Sequence, residues 1–386
     1  MIFGSLALVV AAGLLGPLLA SWSRLGPPVI VGEIAAGVII GNSGFGWIDP
    51  TDPLLTGLAA IGFALLMFIV GSRLPVRDRH IRTALARGAA VFATVGAMAV
   101  AAASMLGTTV GLHRPAILAV LLATSSGAVA LPVLQGLGKT DKTVLVTTAW
   151  IAIADVATVL ALPVVLATGR IARVIIGGVL VVVAAAAMFL VARAVRRTPW
   201  ARRVRTMSHS RGWGLDLRVS LLALFICAWI ASHFGASVLI AGFAVGAVVA
   251  LLGEPRRVAQ QLVGIGEGFA IPLFFVHLGA QIDLGALLNS SKALTLTGVL
   301  AATAIAIHVV TAASWKLPVS MGLLASAQLG VPAAVVSIGL ATQQITAAQG
   351  AAVMAALLLT LGACAVGGAM LGQGRLTDAN APATST

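Results

Sequence analysis

Trp150-Ile151-Ala152-Ile153-Ala154-Asp155-Val156-Ala157-Thr158-Val159-Leu160 sets a single carboxylate among apolar and small side chains. The run around it, from Lys142 to Thr168, is long enough to cross a bilayer, and Asp155 falls near its middle. An aspartate at mid-depth costs about 2.5 to 3.5 kcal/mol on insertion scales, so it persists where something compensates its charge. The expectation is that a cation and a proton compensate Asp155 in turn.

Composition puts the whole chain in the same setting. Hydrophobic residues make up 60% and charged residues 9%, where a soluble domain carries about 25% charged residues. The net charge of +13 sits in loops between apolar runs, the signature of a polytopic membrane protein and not of a nucleic-acid partner. Cys227 and Cys364 each lie inside an apolar run and have neither metal-ligand nor disulfide spacing. Both read as packing residues. Met1-Ile2-Phe3-Gly4 enters an apolar stretch with no Lys or Arg ahead of it, so it reads as a retained first span rather than a cleaved leader.

At about 20 residues per span, thirteen transmembrane segments are expected: 4–22, 28–42, 54–72, 84–107, 115–137, 143–168, 171–195, 217–234, 237–253, 259–280, 293–314, 318–344 and 348–371. With the N-terminus outside, twenty of the 24 basic residues fall on the cytoplasmic side, Arg24, Arg73, Arg77, Lys139, Arg256 and Arg257 among them; Arg114, Arg170, Arg173 and Lys292 fall outside. That asymmetry predicts a cytoplasmic C-terminus. Residues 372–386 read as a disordered cytoplasmic tail.

The polar connection 196–216 follows the seventh span, leaving six spans before that span and six after the connection. The fifth of the first six carries Ala123-Thr124-Ser125-Ser126-Gly127 and then Pro132; the fifth of the last six carries Gln328-Leu329-Gly330-Val331-Pro332. Polar, Gly and Pro residues at membrane depth are tolerated where freed backbone groups face protein or a cavity. Equivalent positions in two inverted halves point to two broken, crossing helices around a transport site.

Asp155, Thr124 and Ser125 are the candidate cation- and proton-binding residues, since hydroxyls and unwound carbonyls suit a hard monovalent cation. His308, mid-span in Ile305-Ala306-Ile307-His308-Val309, is a candidate proton or pH-sensing partner. Glu33, Ser126 and Gln328 are candidate pathway or gate residues, while Glu267, Asp283 and His277 read as structural. No nucleophile–base constellation or cofactor motif lies among the spans, so neither an enzyme nor a cofactor is expected.

Several motifs in order carry a family resemblance: Leu25-Gly26-Pro27-Pro28-Val29-Ile30-Val31-Gly32-Glu33 running on to Gly41, then Leu65 to Gly71, Ala123 to Ser126, Ala154-Asp155-Val156-Ala157, Ala241 to Gly246 and Pro272 to Gly279. The chain resembles the bacterial monovalent cation:proton antiporter-2 family, which includes sodium/proton antiporters and potassium efflux systems. That resemblance implies an all-α, thirteen-helix sodium/proton antiporter-like fold over 1–371 and a homodimer. It places dimerisation in about 1–80 and 217–290, a core in about 84–168 and 293–371, and a linker helix in about 171–195. It implies that Asp155 binds the cation or the proton, with Thr124-Ser125 in an unwound crossover, and that the core moves against a static dimer interface.

Two departures matter: Ala154 stands where sodium/proton members carry a second Asp and potassium members a Gln, and His308 aligns with a Lys of many members. One carboxylate without that lysine favours one Na+ or K+ exchanged for one H+, an electroneutral cycle. Two alternatives share these residues: proton-coupled movement of a small organic solute, for which Ala154 leaves room, and a non-transporting membrane receptor.

Overall fold

In the computed structural model the described residues are 2–22, 29–72, 79–107, 112, 114–136, 141–166, 171–211, 213–234, 236–252 and 264–379, and they contain helices and connections but no strand. Arg24, Arg73, Arg77, Lys139, Arg170, Arg256 and Arg257, which carry part of the orientation argument, lie outside them, as do Pro27-Pro28 and 380–386. Among the described residues nine segments have the length and apolarity to cross a membrane, and four shorter apolar helices join them. These are the thirteen segments expected.

The first span is broken into α1 (Ile2–Gly13) and α2 (Leu15–Trp22). Pro17 explains the break: its ring displaces the carbonyl four residues earlier, on Gly13, and it offers no N–H. Next come α3 (Val29–Ile40), α4 (Pro53–Ser72) and α5 (Arg79–Leu106). The fifth span divides into α6 (Pro115–Ala123) and α7 (Gly127–Gly136), and the sixth is α8 (Lys142–Leu166). After α9 (Ile171–Val195) the connection 196–216 forms a helix of its own, α10 (Pro199–Ser210), followed by α11 (Leu215–His233) and α12 (Val238–Leu252).

A π-helical turn, Gly266–Ala270, then leads into α13 (Ile271–Ala280). The widened turn, in which Ile271 N–H reaches back to the Gly266 carbonyl, relieves the crowding that Pro272 imposes on the turn before it. The remaining helices are α14 (Leu284–Leu288), α15 (Ser291–Ser314), α16 (Val319–Ala325), α17 (Gly330–Ala341) and α18 (Ala347–Ala379). Helix α18 thus takes in 372–379, where the sequence reading expects a disordered tail. No proline intervenes until Pro382, so nothing in the chain forbids the added turns.

The chain forms two compact units. The first comprises 1–11, 49–78 and 163–277. Its centre is the α4–α12 pair, where Gly242 and Gly246, one turn apart, lie against the Ala64 and Phe68 carbonyls so closely that a Cβ at either would collide with backbone. Helices approach this way in membranes because small residues let the backbones touch, in place of the hydrophobic drive that lipid removes. Gly62 lies in the same way against the Ala270 carbonyl.

The second unit comprises 12–48, 79–162 and 278–386 and holds every candidate site residue. Segments 12–48 and 278–290, expected in the dimerisation part, fall here through their contact with each other. A Cβ on Gly41 would meet Ala280 Cα at 2.5 Å, and the Ser43 hydroxyl donates to the Ile282 carbonyl at 2.5 Å while accepting from Leu284 N–H at 2.8 Å. Elsewhere in this unit, a Cβ on Gly88 of α5 would meet Trp150 N of α8 at 2.8 Å, and one on Gly322 of α16 would meet Val309 Cα of α15 at 2.7 Å.

Gly246→Ala is expected to destabilise the purified protein by about 1–3 kcal/mol through overpacking. Gly57→Ala on α4, whose Cβ would meet open space, should leave the melting temperature unchanged. Thermal unfolding of the two variants in detergent checks the contrast.

Candidate functional site

Two extended stretches cross inside the second unit. Residues 124–126 separate α6 from α7, and the turn at Ser326 with 327–329 separates α16 from α17. Breaking a helix at membrane depth frees N–H and C=O groups that lipid cannot satisfy. Each stretch answers the other's broken helix. Ser126 N–H donates to the Ala327 carbonyl at 2.7 Å. The Ser125 hydroxyl donates to the Ala325 carbonyl at the end of α16, 2.5 Å away, and Gln328 Nε2 donates to the Leu121 carbonyl near the end of α6 at 2.7 Å. Ser125 and Gln328 are therefore reciprocal caps on the C-terminal ends of the two half-helices.

The N-terminal end of α7 is met by Asp155. Gly127 N–H donates to Asp155 Oδ2 at 2.9 Å, and a Cβ on Gly127 would come within 3.0 Å of that oxygen. A carboxylate against the first turn of a helix is favoured by the partial positive charge there. Asp155 is buried, at 6% exposure, and belongs to the continuous helix α8 rather than to a loop. Its position is thereby set by regular geometry, with the broken helix brought to it.

The hydroxyls around it have defined roles. Thr158, one turn after Asp155, donates to the Ala154 carbonyl at 2.7 Å, and its oxygen lies 3.0 Å from Thr124 Oγ1. Because the Thr158 proton is engaged, Thr124 is the donor in that pair. Thr124 and Ser125 both give their protons to protein partners and present lone pairs alone, the state in which a hydroxyl serves a cation. Among the described residues no group of three or more His, Cys, Asp or Glu is placed to hold a metal ion.

His308 is fully buried on α15, with Nδ1 2.8 Å from the Ala304 carbonyl, and its ring stacks on Trp150 with centroids 5.7 Å apart and planes 14° apart. The structure therefore brings His308 to the helix that carries Asp155, against a residue five positions earlier. Ser126 enters the crossover through its backbone. Glu33 is buried on α3 against the neighbouring helix, where a Cβ on Gly16 would meet its Cγ at 2.8 Å. Sequence reasoning missed Thr158 and Trp150. The three-residue spacing from Asp155, which places Thr158 on the same helix face, was the available signal for the first.

The family described as sodium/hydrogen exchanger, transmembrane, matches residues 9–372, and the chain belongs to that family. It is a family of transmembrane exchangers, not of enzymes, and the protein is a multi-pass membrane protein. Among curated relatives, the chain is 23% identical to the putative Na+/H+ antiporter YjbQ of Bacillus subtilis over 75% of its own length and 49% of the relative's. It therefore spans about half the length of that protein. It is 25% identical to the Na+/H+-K+ antiporter GerN of Bacillus cereus, over 69% of this chain and 68% of GerN. Among solved structures, it shares its fold with the sodium proton antiporter MjNhaP1 of Methanocaldococcus jannaschii, at a TM-score of 0.66, 17% identity and 98% coverage of both chains.

Gln328→Leu keeps the side-chain volume but removes the donor to the Leu121 carbonyl. Leaving a buried acceptor unpaired is expected to cost about 1–3 kcal/mol. Thermal unfolding of the purified variant measures this directly.

Proposed function

We propose that the protein is a secondary active antiporter exchanging a monovalent cation, Na+ or K+, for H+ by alternating access. The observation that carries this reading is the Asp155 carboxylate capping the broken-helix end at Gly127, directly after the Thr124-Ser125-Ser126 step. A carboxylate in this position can be neutralised by a proton or by a cation, and not by both. Competition for one oxygen pair is sufficient to couple the two fluxes. The activities for which YjbQ and GerN are named, Na+/H+ and Na+/H+-K+ antiport, support the same exchange.

In this reading Thr124, Ser125 and the carbonyls of the unwound stretches complete the oxygen shell around the cation. Ser126 and Gln328 hold the crossover, His308, stacked on Trp150 of the helix that carries Asp155, is the proton or pH-sensing partner, and Glu33 serves the pathway from α3. One carboxylate, with Ala154 beside it, gives an electroneutral cycle. Placement in a bacterial inner membrane with the N-terminus outside, and assembly as a homodimer through the expected dimerisation part, belong to the same proposal. The asymmetry of basic residues supports the orientation.

The test is cation-induced dequenching of a pH-sensitive dye in proteoliposomes. Wild-type protein should release the quench on addition of Na+ or K+, at a rate insensitive to an imposed membrane potential, and Asp155→Asn should not release it. An Asp155→Asn protein that transports like wild type would sink the proposal. Competition also fixes the pH dependence: below the carboxylate's own pKa, each pH unit should raise the apparent KM for the cation about tenfold. A KM that stays constant on acidification would separate the proton site from the cation site.

A further inference from the structure

The connection between α9 and α11 is not used by the exchange reaction, yet its composition is the most skewed in the chain. From Arg193 to Arg218 it holds eight arginines, no lysine and a single carboxylate, Asp216. That carboxylate is paired with Arg205 at 3.4 Å. Arg193, Arg197, Arg203, Arg211 and Arg218 are exposed. Two tryptophans stand among them, Trp200 at 69% exposure and Trp213 at 42%, and the Arg211 guanidinium lies 5.5 Å from the Trp213 ring centroid.

The segment is folded and anchored. Thr198 caps α10 by accepting from Ala201 N–H at 3.3 Å, and Pro199 occupies the first helical turn. Ala201 and Ser208, two turns apart, are buried, while Trp200, Arg203 and Ser210 occupy the opposite, exposed face. Ser208 fixes the helix to the start of α11: its hydroxyl accepts from Leu215 N–H at 3.2 Å and its carbonyl from Trp213 N–H at 3.0 Å. The flanking span α9, outside the expected dimerisation part, exposes Val183 and Leu190. An apolar face of that kind on a spanning helix meets lipid tails, so the arginines at and after its last turn stand at headgroup depth.

We propose that α10 and its flanks form a binding surface for anionic phospholipid headgroups. Guanidinium groups pair with phosphate in a planar, two-pronged geometry that an ammonium cannot match. Tryptophan favours the interfacial layer, where its ring is half apolar and its N–H is wet. A short helix with one face fixed on the protein and the other carrying Arg and Trp is built to lie in that layer. Anionic headgroups, in place of zwitterionic ones, complement a segment that carries eight arginines and one carboxylate.

Native mass spectrometry of the full-length protein in mixed micelles tests this independently of transport. Phosphatidylglycerol or cardiolipin is expected to be retained about tenfold over phosphatidylcholine. The preference should fall with salt, be lost in a combined Arg203→Gln, Arg211→Gln, Arg218→Gln variant and be weakened but retained when the same positions carry Lys. Equal retention of the two headgroup classes, an unchanged preference in the Gln variant, or displacement of lipid by inorganic phosphate, an acidic peptide or RNA at equal charge would overturn the proposal. Should the Gln variant not fold, a salt-independent preference in wild type overturns it equally.

Discussion

The hydrogen bond from Gly127 N–H to Asp155 is the constraint on which the second unit depends. A helix broken at membrane depth has an electropositive N-terminal end and orphaned donors, and water is not at hand to satisfy them. Asp155 supplies both the acceptor and the charge. The carboxylate is consequently part of the scaffold, and anything that neutralised it would also weaken the cap on α7. In the proposed exchange, protonation or cation binding at Asp155 would therefore be felt by the crossover itself, without a separate relay.

Two of the other three ends of the broken helices are capped by neutral groups. Ser125 and Gln328 cap the two C-terminal ends with side-chain donors, and Ser126 N–H pairs with the Ala327 carbonyl within the crossing itself. The N-terminal end of α17, at Leu329, has no side-chain cap. These caps add no formal charge to that of Asp155. Close packing permits the crossing. Gly88 brings α5 against Trp150, and Gly322 brings α16 against the backbone of α15 at His308. Both contacts press on the helices that frame the site.

Much of this was legible in the sequence because polar residues inside apolar runs stand out against a background that excludes them. Asp155, the Thr124-Ser125-Ser126 step and Gln328 were visible on that ground, and the thirteen segments followed from length and apolarity alone. What the sequence concealed depends on side chains meeting across helices. Nothing in the periodicity of α8 or α15 announces that Trp150 and His308 stack, and an apolar run containing Pro17 or Pro272 reads as continuous because prolines are ordinary in membrane helices. The grouping of 12–48 with the second unit was hidden for a similar reason. It rests on Gly41 and Ser43 meeting Ala280 and Ile282, contacts more than two hundred residues apart.

Ala154 carries the argument on stoichiometry one step further. It is fully buried, and its carbonyl accepts from Thr158. Adjacent positions on an α-helix point about 100° apart, so a carboxylate at 154 would not share Gly127 with Asp155. It would be a second buried charge facing packed neighbours, and an unpaired buried charge is strongly destabilising. Thr158, one turn on, meanwhile links α8 to the crossover through Thr124 with neutral oxygens. In this chain that face carries Asp155 as its acid, and a second carboxylate at 154 would need a partner of its own on the side of α8 that turns away from Gly127.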